Sequence, residues 1–324
     1  MKKYILIGTI IVGFSSITAK SDPLLDTKEI EILAQQGNPT AQRQLGTLYE
    51  RGLGVSRNYK KAAEYYQKAA NQGDIKAQRH LGNLYYEGHG VPQNYKKAAE
   101  YFLKAANQGD LTAQTNLGAL YEKGYGVPQN YDKAAEYFLK AADQGDPTAQ
   151  TDLGALYEKG VSVPQDYKKA VEYYQKAADQ GNSTAQTNLG FLYEQGLGVP
   201  QNYEKAAEYY QKAVNQSNPK AQGHLGVLYS QGHGVPQNYK KAAKYFLKAA
   251  DQGSSTARRE LEYLHEEGHV VSDNYEKDSV TQEHPANLHE GDHTPPKIYE
   301  KATPQAEKPA NIMINKLHIQ GFKL

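Results

Sequence analysis

Residues 110–145 read DLTAQTNLGALYEKGYGVPQNYDKAAEYFLKAADQG, and this stretch of 36 residues decides the fold because most of the chain repeats it. The dipeptide Leu-Gly recurs with the same period, for example at Leu45-Gly46 and Leu153-Gly154. Each unit closes with a glycine, or in one case a serine, at Gly37, Gly73, Gly109, Gly145, Gly181, Ser217 and Gly253. Self-similarity at a fixed period of this length is typical of proteins in which small helical units stack on one another.

Helix A, the first predicted helix of each unit, has a capping residue at its start and one apolar face. In the first unit the cap is Asn38, whose side chain can accept a hydrogen bond from a first-turn amide. Ala41, Leu45 and Leu48 follow at the spacing of an amphipathic helix. Gly46 lies inside this helix, where glycine costs about 1 kcal/mol relative to alanine. Its recurrence predicts that a neighbouring helix approaches too closely for a Cβ atom.

Helix B, the second predicted helix, follows a glycine turn and is capped by Asn58. Its apolar stripe predicts a buried face made of small residues and one aromatic ring: Ala62, Ala63, Tyr66, Ala69 and Ala70. The opposite face carries Glu64 and Lys68 at a spacing that favours an ion pair. We therefore expect this face to be the solvated outer surface.

The runs Ala113–Tyr121, Gly124–Pro128 and Lys133–Phe138 resemble the Sel-one-like repeat family, a relative of the tetratricopeptide repeat with a slightly longer unit. The resemblance implies an all-α fold, an α-solenoid with a right-handed superhelix of tandem 36-residue helix-turn-helix repeats. It also implies a role as an interaction scaffold. Some bacterial members of the family are cysteine-rich secreted proteins that bind β-lactams, whereas this chain has no cysteine.

The first residues predict export. Lys2 and Lys3 precede an apolar run that ends at Ile17, and a plausible cleavage site follows Ala19, so residues 1–19 are predicted to be a signal peptide. An uncleaved N-terminal anchor is the alternative. With cleavage, we expect a periplasmic or secreted bacterial protein with no stable membrane insertion.

The remaining chain is predicted to have three parts. Residues 20–37 form an N-terminal capping helix, in which Leu33 and Ala34 occupy positions of buried helix B alanines. Residues 38–278 form the solenoid, and residues 279–324, rich in Pro, His, Glu, Thr and Lys, form a disordered tail. The predicted repeats are six full units and a degenerate seventh: 38–73, 74–109, 110–145, 146–181, 182–217, 218–253 and 254–278.

Composition argues against several classes of function. Lys plus Arg number 37 against 36 Asp plus Glu, and the two signs alternate along the chain, so nucleic acid is not expected as a partner. The absence of cysteine removes disulfides and thiolate sites. No cofactor-binding, metal-binding or catalytic residue is predicted.

Residues 265–269 match the zinc motif H-E-x-x-H, which places two histidines one turn apart on a helix. The repeat register argues against zinc, because Gly268 stands where glycine ends helix A and His269 therefore lies beyond that helix. A second group could bind a transition metal adventitiously: His284, His289, His293 and Asp292.

Positions 43, 44, 47 and 51 of the first unit and their equivalents vary between units, and their spacing places them on one face of helix A. Stacked units would align them into a stripe that is polar near the N-terminal end and apolar near the other. We predict that this stripe binds a protein or peptide through Gln44, His80, Asn83, Asn116, Asp152, Asn188, Phe191, His224, Val227 and Tyr263. Neutral drift at exposed positions is the alternative.

Three functions remain open at this stage. The first is a non-enzymatic scaffold that binds a protein at the cell envelope or outside the cell. The second is a cell-wall-related or β-lactam-binding enzyme, and the third is a secreted host-interaction factor.

Overall fold

The computed structural model describes residues 23–269, all of which lie within one unit, Met1–Asp278. The described residues form α-helices joined by turns and contain no β-strand, so the predicted all-α class is confirmed. The helices are α1 (Pro23–Gln35), α2 (Pro39–Arg51), α3 (Tyr59–Asn71), α4 (Ile75–Glu87), α5 (Tyr95–Ala106), α6 (Leu111–Lys123), α7 (Tyr131–Asp143), α8 (Pro147–Lys159), α9 (Tyr167–Asp179), α10 (Ser183–Gln195), α11 (Tyr203–Val214), α12 (Pro219–Gln231), α13 (Tyr239–Asp251) and α14 (Ser255–Glu266).

Some predictions fall outside the described residues. They are the signal peptide at residues 1–19, the end of the seventh unit, the tail at residues 279–324 and the tail histidines.

The packing is that of a solenoid built from helix pairs. The even-numbered helices α2 to α14 are helix A of successive repeats, and the odd-numbered helices α3 to α13 are helix B. Each helix packs mainly against the helices before and after it in the chain. Stability therefore comes from pairing within a repeat and stacking between neighbouring repeats. The predicted α-solenoid is confirmed.

Helix ends follow the predicted cap chemistry. The Ala41 amide donates to Asn38 Oδ1 at 3.0 Å, and the Lys61 amide donates to Asn58 Oδ1 at 3.0 Å. Gly52 adopts a left-handed conformation with φ 72°, and its amide donates to the Leu48 carbonyl. A side chain disfavours this conformation, which explains glycine at the end of helix A.

The glycine inside helix A makes room for an aromatic ring. A Cβ atom at Gly46 would lie 2.8 Å from the ring of Tyr66, and one at Gly82 would lie 2.6 Å from the ring of Phe102. The predicted close approach is confirmed, and the group that approaches is a helix B side chain of the same repeat. These rings are fully buried among alanines, and each belongs to a core that helix B of its repeat forms with helix A of the next repeat.

Buried glutamines connect neighbouring repeats. Gln42 Nε2 donates to the Ala34 carbonyl at 3.2 Å, and Gln72 Nε2 donates to Gln42 Oε1 at 2.7 Å. The bond to the carbonyl crosses to the preceding unit and recurs from Gln78 to the Ala70 carbonyl at 3.4 Å. The bond between two glutamines lies within one repeat and recurs from Gln108 to Gln78 at 2.8 Å. Because the bonds from glutamine to the carbonyl are buried, they fix the register between repeats as well as satisfying the buried amides.

The outer face is solvated, as expected, and is also packed. The structure shows an ion pair of the predicted type at Glu136 and Lys140, 2.6 Å apart. The lysine at this position also lies over the helix B tyrosine, as Lys68 lies 5.1 Å from the ring centroid of Tyr65. Tyr65 in turn stacks on Tyr49 of helix A with centroids 5.8 Å apart. The lysine stems therefore cover aromatic surface, and the face is packed as well as solvated.

The first helix corrects one expectation. Ala34 is buried against Ala41 and Leu45, as a capping helix requires. Leu33, however, is 39% exposed, although the repeat register places it at a buried alanine position. The helix α1 is the first helix among the described residues and has no helix A partner before it there, unlike the helix B segments of the later repeats.

Candidate functional site

The predicted binding stripe lies on the helix A side of the solenoid, where side chains at position 44 of one repeat meet the helix B aromatic ring of the repeat before it. His80 stacks on Tyr66 with centroids 4.8 Å apart and rings within 7° of parallel. His224 stacks on Tyr210 at 4.9 Å in the same way. We call each such set an aromatic layer. It consists of one helix B ring, the helix A side chain at position 50 of the same repeat, and the residue at position 44 of the next repeat. Layers are numbered by the repeat that supplies the ring.

The second member of each aromatic layer, at position 50, was missed by the sequence analysis. The Tyr66 hydroxyl donates to Glu50, and the Tyr210 hydroxyl donates to Glu194 at 2.5 Å. Burial, more than the neighbouring carboxylate, raises the pKa of both tyrosines, so each hydroxyl keeps its proton and donates it. A signal was present in the sequence, because every repeat with tyrosine in helix B at this position also has glutamate at position 50.

The second aromatic layer contains a cavity of about 340 Å³. Here the ring is Phe102, which carries no hydroxyl, position 50 is Tyr86, and position 44 is Asn116. Asn116 Nδ2 donates to Asn83 Oδ1 at 3.2 Å, which joins the side chains of two successive repeats. The cavity is lined by Asn83, Tyr86, Glu87, Phe102, Thr112, Asn116, Ala119, Leu120 and Lys123.

The third aromatic layer is acidic. Asp152 is partly buried, and burial raises its pKa to about 7, with the nearby carboxylates of Glu122 and Asp146 raising it further. Lys123 and Lys159 act in the opposite direction. The ring of this layer is Phe138, so no aromatic hydroxyl is present to donate to either carboxylate.

Burial disfavours the charged form of the histidine in the first aromatic layer. Burial lowers the pKa of His80, and the charges of Arg79, Arg43 and Arg51 lower it further. The carboxylate of Glu50, 3.5 Å from Nδ1, opposes this effect. The imidazole thus combines stacking on the Tyr66 ring with a contact to Glu50.

The other predicted site residues divide into exposed and structural positions. Gln44 is exposed, Tyr263 is 40% exposed, and Asn188 forms a hydrogen bond with Tyr174. Phe191 packs against the cores of two repeats and lies 6.1 Å from His224, while Val227 packs against the last core. The structure thus brings Asn83 next to Asn116 and Phe191 next to His224, while the other predicted residues are distributed along the repeats.

Position 43 does not belong to this surface. Arg43 Nε donates to Asp74 Oδ2 of the next repeat at 3.1 Å, and Arg79 does the same to Asp110. Threonines take this position in the third to fifth repeats and are buried, as at Thr115. The expectation that position 43 faces a partner was wrong, because the next repeat covers it.

The motif at residues 265–269 is divided by the end of a helix. The helix α14 ends at Glu266, Gly268 has φ 69°, and the ring of His269 stacks on Tyr239 at 3.9 Å. In residues 23–269 no group of three His, Cys, Asp or Glu side chains is placed to hold a metal ion. None of the helices described in this range combines the length and apolarity that crossing a membrane requires.

Comparison with known proteins agrees with the geometry. The sequence profile of the Sel1 repeat matches residues 39–74, 75–110, 111–146, 147–182, 183–218 and 219–254, and each segment starts at the first residue of a helix A. No curated protein matches the chain.

Two solved structures are similar over most of the chain. One is a protective antigen of uropathogenic Escherichia coli that displays an SLR fold, with 35% identity and a TM-score of 0.69 over 78% of this chain. This chain spans 54% of that antigen's length. The other is a Sel1 repeat protein from Oxalobacter formigenes, with 36% identity and a TM-score of 0.65, covering 75% of this chain and 70% of that protein. The chain therefore belongs to the Sel1 repeat family.

Proposed function

We propose that the protein is a non-enzymatic scaffold that binds an extended segment of a partner protein along the helix A side of the solenoid. Helical repeats of this kind typically act as protein-interaction scaffolds, because stacking creates a long continuous surface. The same surface carries the side chains that differ from one repeat to the next.

One observation carries this proposal: the side chains of the aromatic layers and of position 47 beside them differ from repeat to repeat, whereas most of the framework that holds the repeats together stays the same. Cap residues and the buried glutamines recur in each full repeat, and the alanines of helix B recur except where Val171 and Val214 replace them. Positions 44, 47 and 50 change in charge, size and polarity, as in His80, Asp152 and Phe191. Uniform framework residues and diverse surface residues are the arrangement expected of a binding surface on a rigid support.

Photocrosslinking in living cells tests the proposal. A photoreactive phenylalanine at position 191 should crosslink a specific partner, because Phe191 lies on the helix A side. The same residue at position 139 is the matched control, because Leu139 is 42% exposed on helix B. Tyr263→Ala should weaken capture of that partner while Leu139→Ala leaves it unchanged. Equal crosslinking at positions 191 and 139 would refute the binding surface.

We also propose that the protein acts outside the cytoplasm, in the periplasm or after secretion. The charged and apolar pattern of residues 1–19 supports this location. Mass spectrometry of the N-terminus of the protein purified from periplasmic extract and from culture supernatant tests it. Recovery of the protein with an intact Met1 from the cytoplasmic fraction alone, and from neither of the other two, would contradict the proposal.

A secreted host-interaction factor is a second candidate function. The similarity to a protective antigen of uropathogenic Escherichia coli favours it. Accumulation of the mature protein in culture supernatant would support this candidate, and retention in periplasmic extract would favour assembly at the cell envelope. Absence of an acylation burst with a chromogenic β-lactam is the expected result for a scaffold.

A further inference from the structure

The cavity in the second aromatic layer arises from replacements at the positions that fill other layers. In the first layer the Tyr66 hydroxyl contacts Thr47 and Glu50, and His80 covers the tyrosine ring. In the second layer Phe102 has no hydroxyl, and Asn116 is smaller than histidine. The space that these groups occupy elsewhere is therefore left open beside a buried aromatic ring.

The lining of the cavity suits an uncharged, ring-shaped group. Phe102, Ala119 and Leu120 provide apolar contacts, and Tyr86 adds a second ring. Glu87 and Lys123 carry opposite charges, so the cavity has no net charge that would attract an ion. A cavity of about 150 Å³ is enough to accept a benzene molecule. The 340 Å³ here is therefore large enough for the side chain of phenylalanine, tyrosine or tryptophan.

The amides of Asn83 and Asn116 add a polar element beside this apolar floor. Their mutual hydrogen bond uses one donor of Asn116 and one acceptor lone pair of Asn83. Among residues 23–269 these two side chains make no other hydrogen bond, and both are partly exposed. Donors on Asn83 and an acceptor on Asn116 remain, which match the carbonyl and the amide of a peptide backbone. A peptide fits this combination better than a free aromatic molecule, which would leave the amides unused.

We propose that this cavity binds one uncharged aromatic side chain of the extended partner segment, while the amides of Asn83 and Asn116 bind the backbone of that segment. The inference rests on the proposed function and names the anchor of its ligand. Aromatic anchors in desolvated pockets commonly dominate the affinity of such interfaces. The partner is thus recognised mainly in the second and third repeats.

A random peptide library tests the assignment. A phage-displayed library of random dodecapeptides is selected on the full chain, and an enriched peptide is labelled with fluorescein for affinity measurement. The expected result is one shared aromatic position, whose replacement by alanine weakens binding by roughly tenfold or more. Phe102→Tyr and Asn116→His should weaken binding to a similar degree, because they restore groups that fill other layers. Phe246→Tyr is the matched control, since it adds the same hydroxyl in the sixth repeat, and it should leave affinity unchanged.

The outcomes separate this inference from the proposed function. Circular dichroism first establishes that the variants are folded, which is expected because tyrosine and histidine occur at the equivalent positions Tyr66 and His80. A photoreactive copy of the peptide then locates its site by mass spectrometry. Crosslinks on the helix A side, with affinity unchanged in Phe102→Tyr and Asn116→His, would refute the cavity alone. Crosslinks confined to the outer face would refute the proposed function as well. Two other outcomes would assign the cavity to another ligand and overturn the inference. In one, N-acetyltryptophanamide displaces the labelled peptide as well as the unlabelled peptide does. In the other, the chain self-associates and Phe102→Tyr abolishes this self-association.

Discussion

Replacing Asp152 by asparagine should stabilise the protein at neutral and alkaline pH and have little effect in acid. Burial raises the pKa of the Asp152 carboxyl to about 7 in the folded state, against 3.8 for an ordinary aspartate. Between these two values the folded protein holds a proton that the unfolded chain releases. The contribution of this group to stability is therefore lost as pH rises from about 4 to about 7. The substitution keeps the size of the side chain and removes its charge.

The difference in pKa is about 3 units, and each unit corresponds to about 1.36 kcal/mol. The pKa difference therefore corresponds to about 4 kcal/mol above pH 7. This figure is an upper limit, because Asp152 is only partly buried and water screens its charge. Urea unfolding followed by far-ultraviolet circular dichroism at pH 4, 5, 6, 7 and 8 measures this effect. The urea midpoint of Asp152→Asn should exceed that of wild type by an amount that grows as pH rises. Glu122→Gln should reduce the pH dependence of the wild-type midpoint without abolishing it, because burial is the larger cause. A midpoint difference between Asp152→Asn and wild type that is the same at pH 4 and pH 8 would refute the reasoning.

Three further predictions concern the framework and its histidine. Gly82→Ala should lower the free energy of unfolding by about 1–3 kcal/mol, because its Cβ atom would meet the ring of Phe102. Gly223→Ala should raise the free energy of unfolding by about 0.5–1 kcal/mol, because no atom lies within 4 Å of the added Cβ atom and alanine favours the helix. Equal effects of these two substitutions in urea unfolding would contradict the packing argument. Ser217 has φ 60°, and Ser217→Gly should raise the melting temperature by relieving up to about 1 kcal/mol of strain; a lower melting temperature would count against it. Because burial lowers the pKa of His80, its contribution to stability is lost as pH falls below about 6.5. His80→Asn removes this loss in acid, so the urea midpoint at pH 7.5 minus that at pH 5.5 should become smaller or more negative than in wild type, whereas an unchanged value would count against His80 as the titrating group.

The local chemistry of one repeat could be predicted from sequence because it depends on residues close together in the chain. Asn38 and Gly52 mark the ends of a helix through bonds to amides and carbonyls within a few residues. The recurrence of the glycine at Gly46 predicted a close contact, because glycine destabilises the interior of a helix unless a neighbouring group leaves no room for a side chain. These inferences were confirmed.

Contacts between repeats were harder to predict, because a helical wheel shows which side chains share a face and not what covers that face. Arg43 was assigned to the binding surface, yet the next repeat supplies Asp74 as its partner. The bond between Tyr66 and Glu50 joins helix B to helix A across 16 positions of sequence. The cavity beside Phe102 follows from what is missing relative to other layers, and it becomes visible only once the layers are aligned in three dimensions.

The paired tyrosines of the outer face make the protein a reporter of its own assembly. Each full repeat contains one parallel pair, from Tyr49 with Tyr65 to Tyr229 with Tyr245, and the chain has no tryptophan to mask their absorption. Stacked phenol rings held in a fixed chiral geometry couple their transitions and give a near-ultraviolet dichroic band. That band disappears when the two helices of a repeat separate. Replacing both tyrosines of one repeat by phenylalanine would remove that repeat's contribution to the band. The difference from the wild-type signal would then follow the unfolding of that repeat alone.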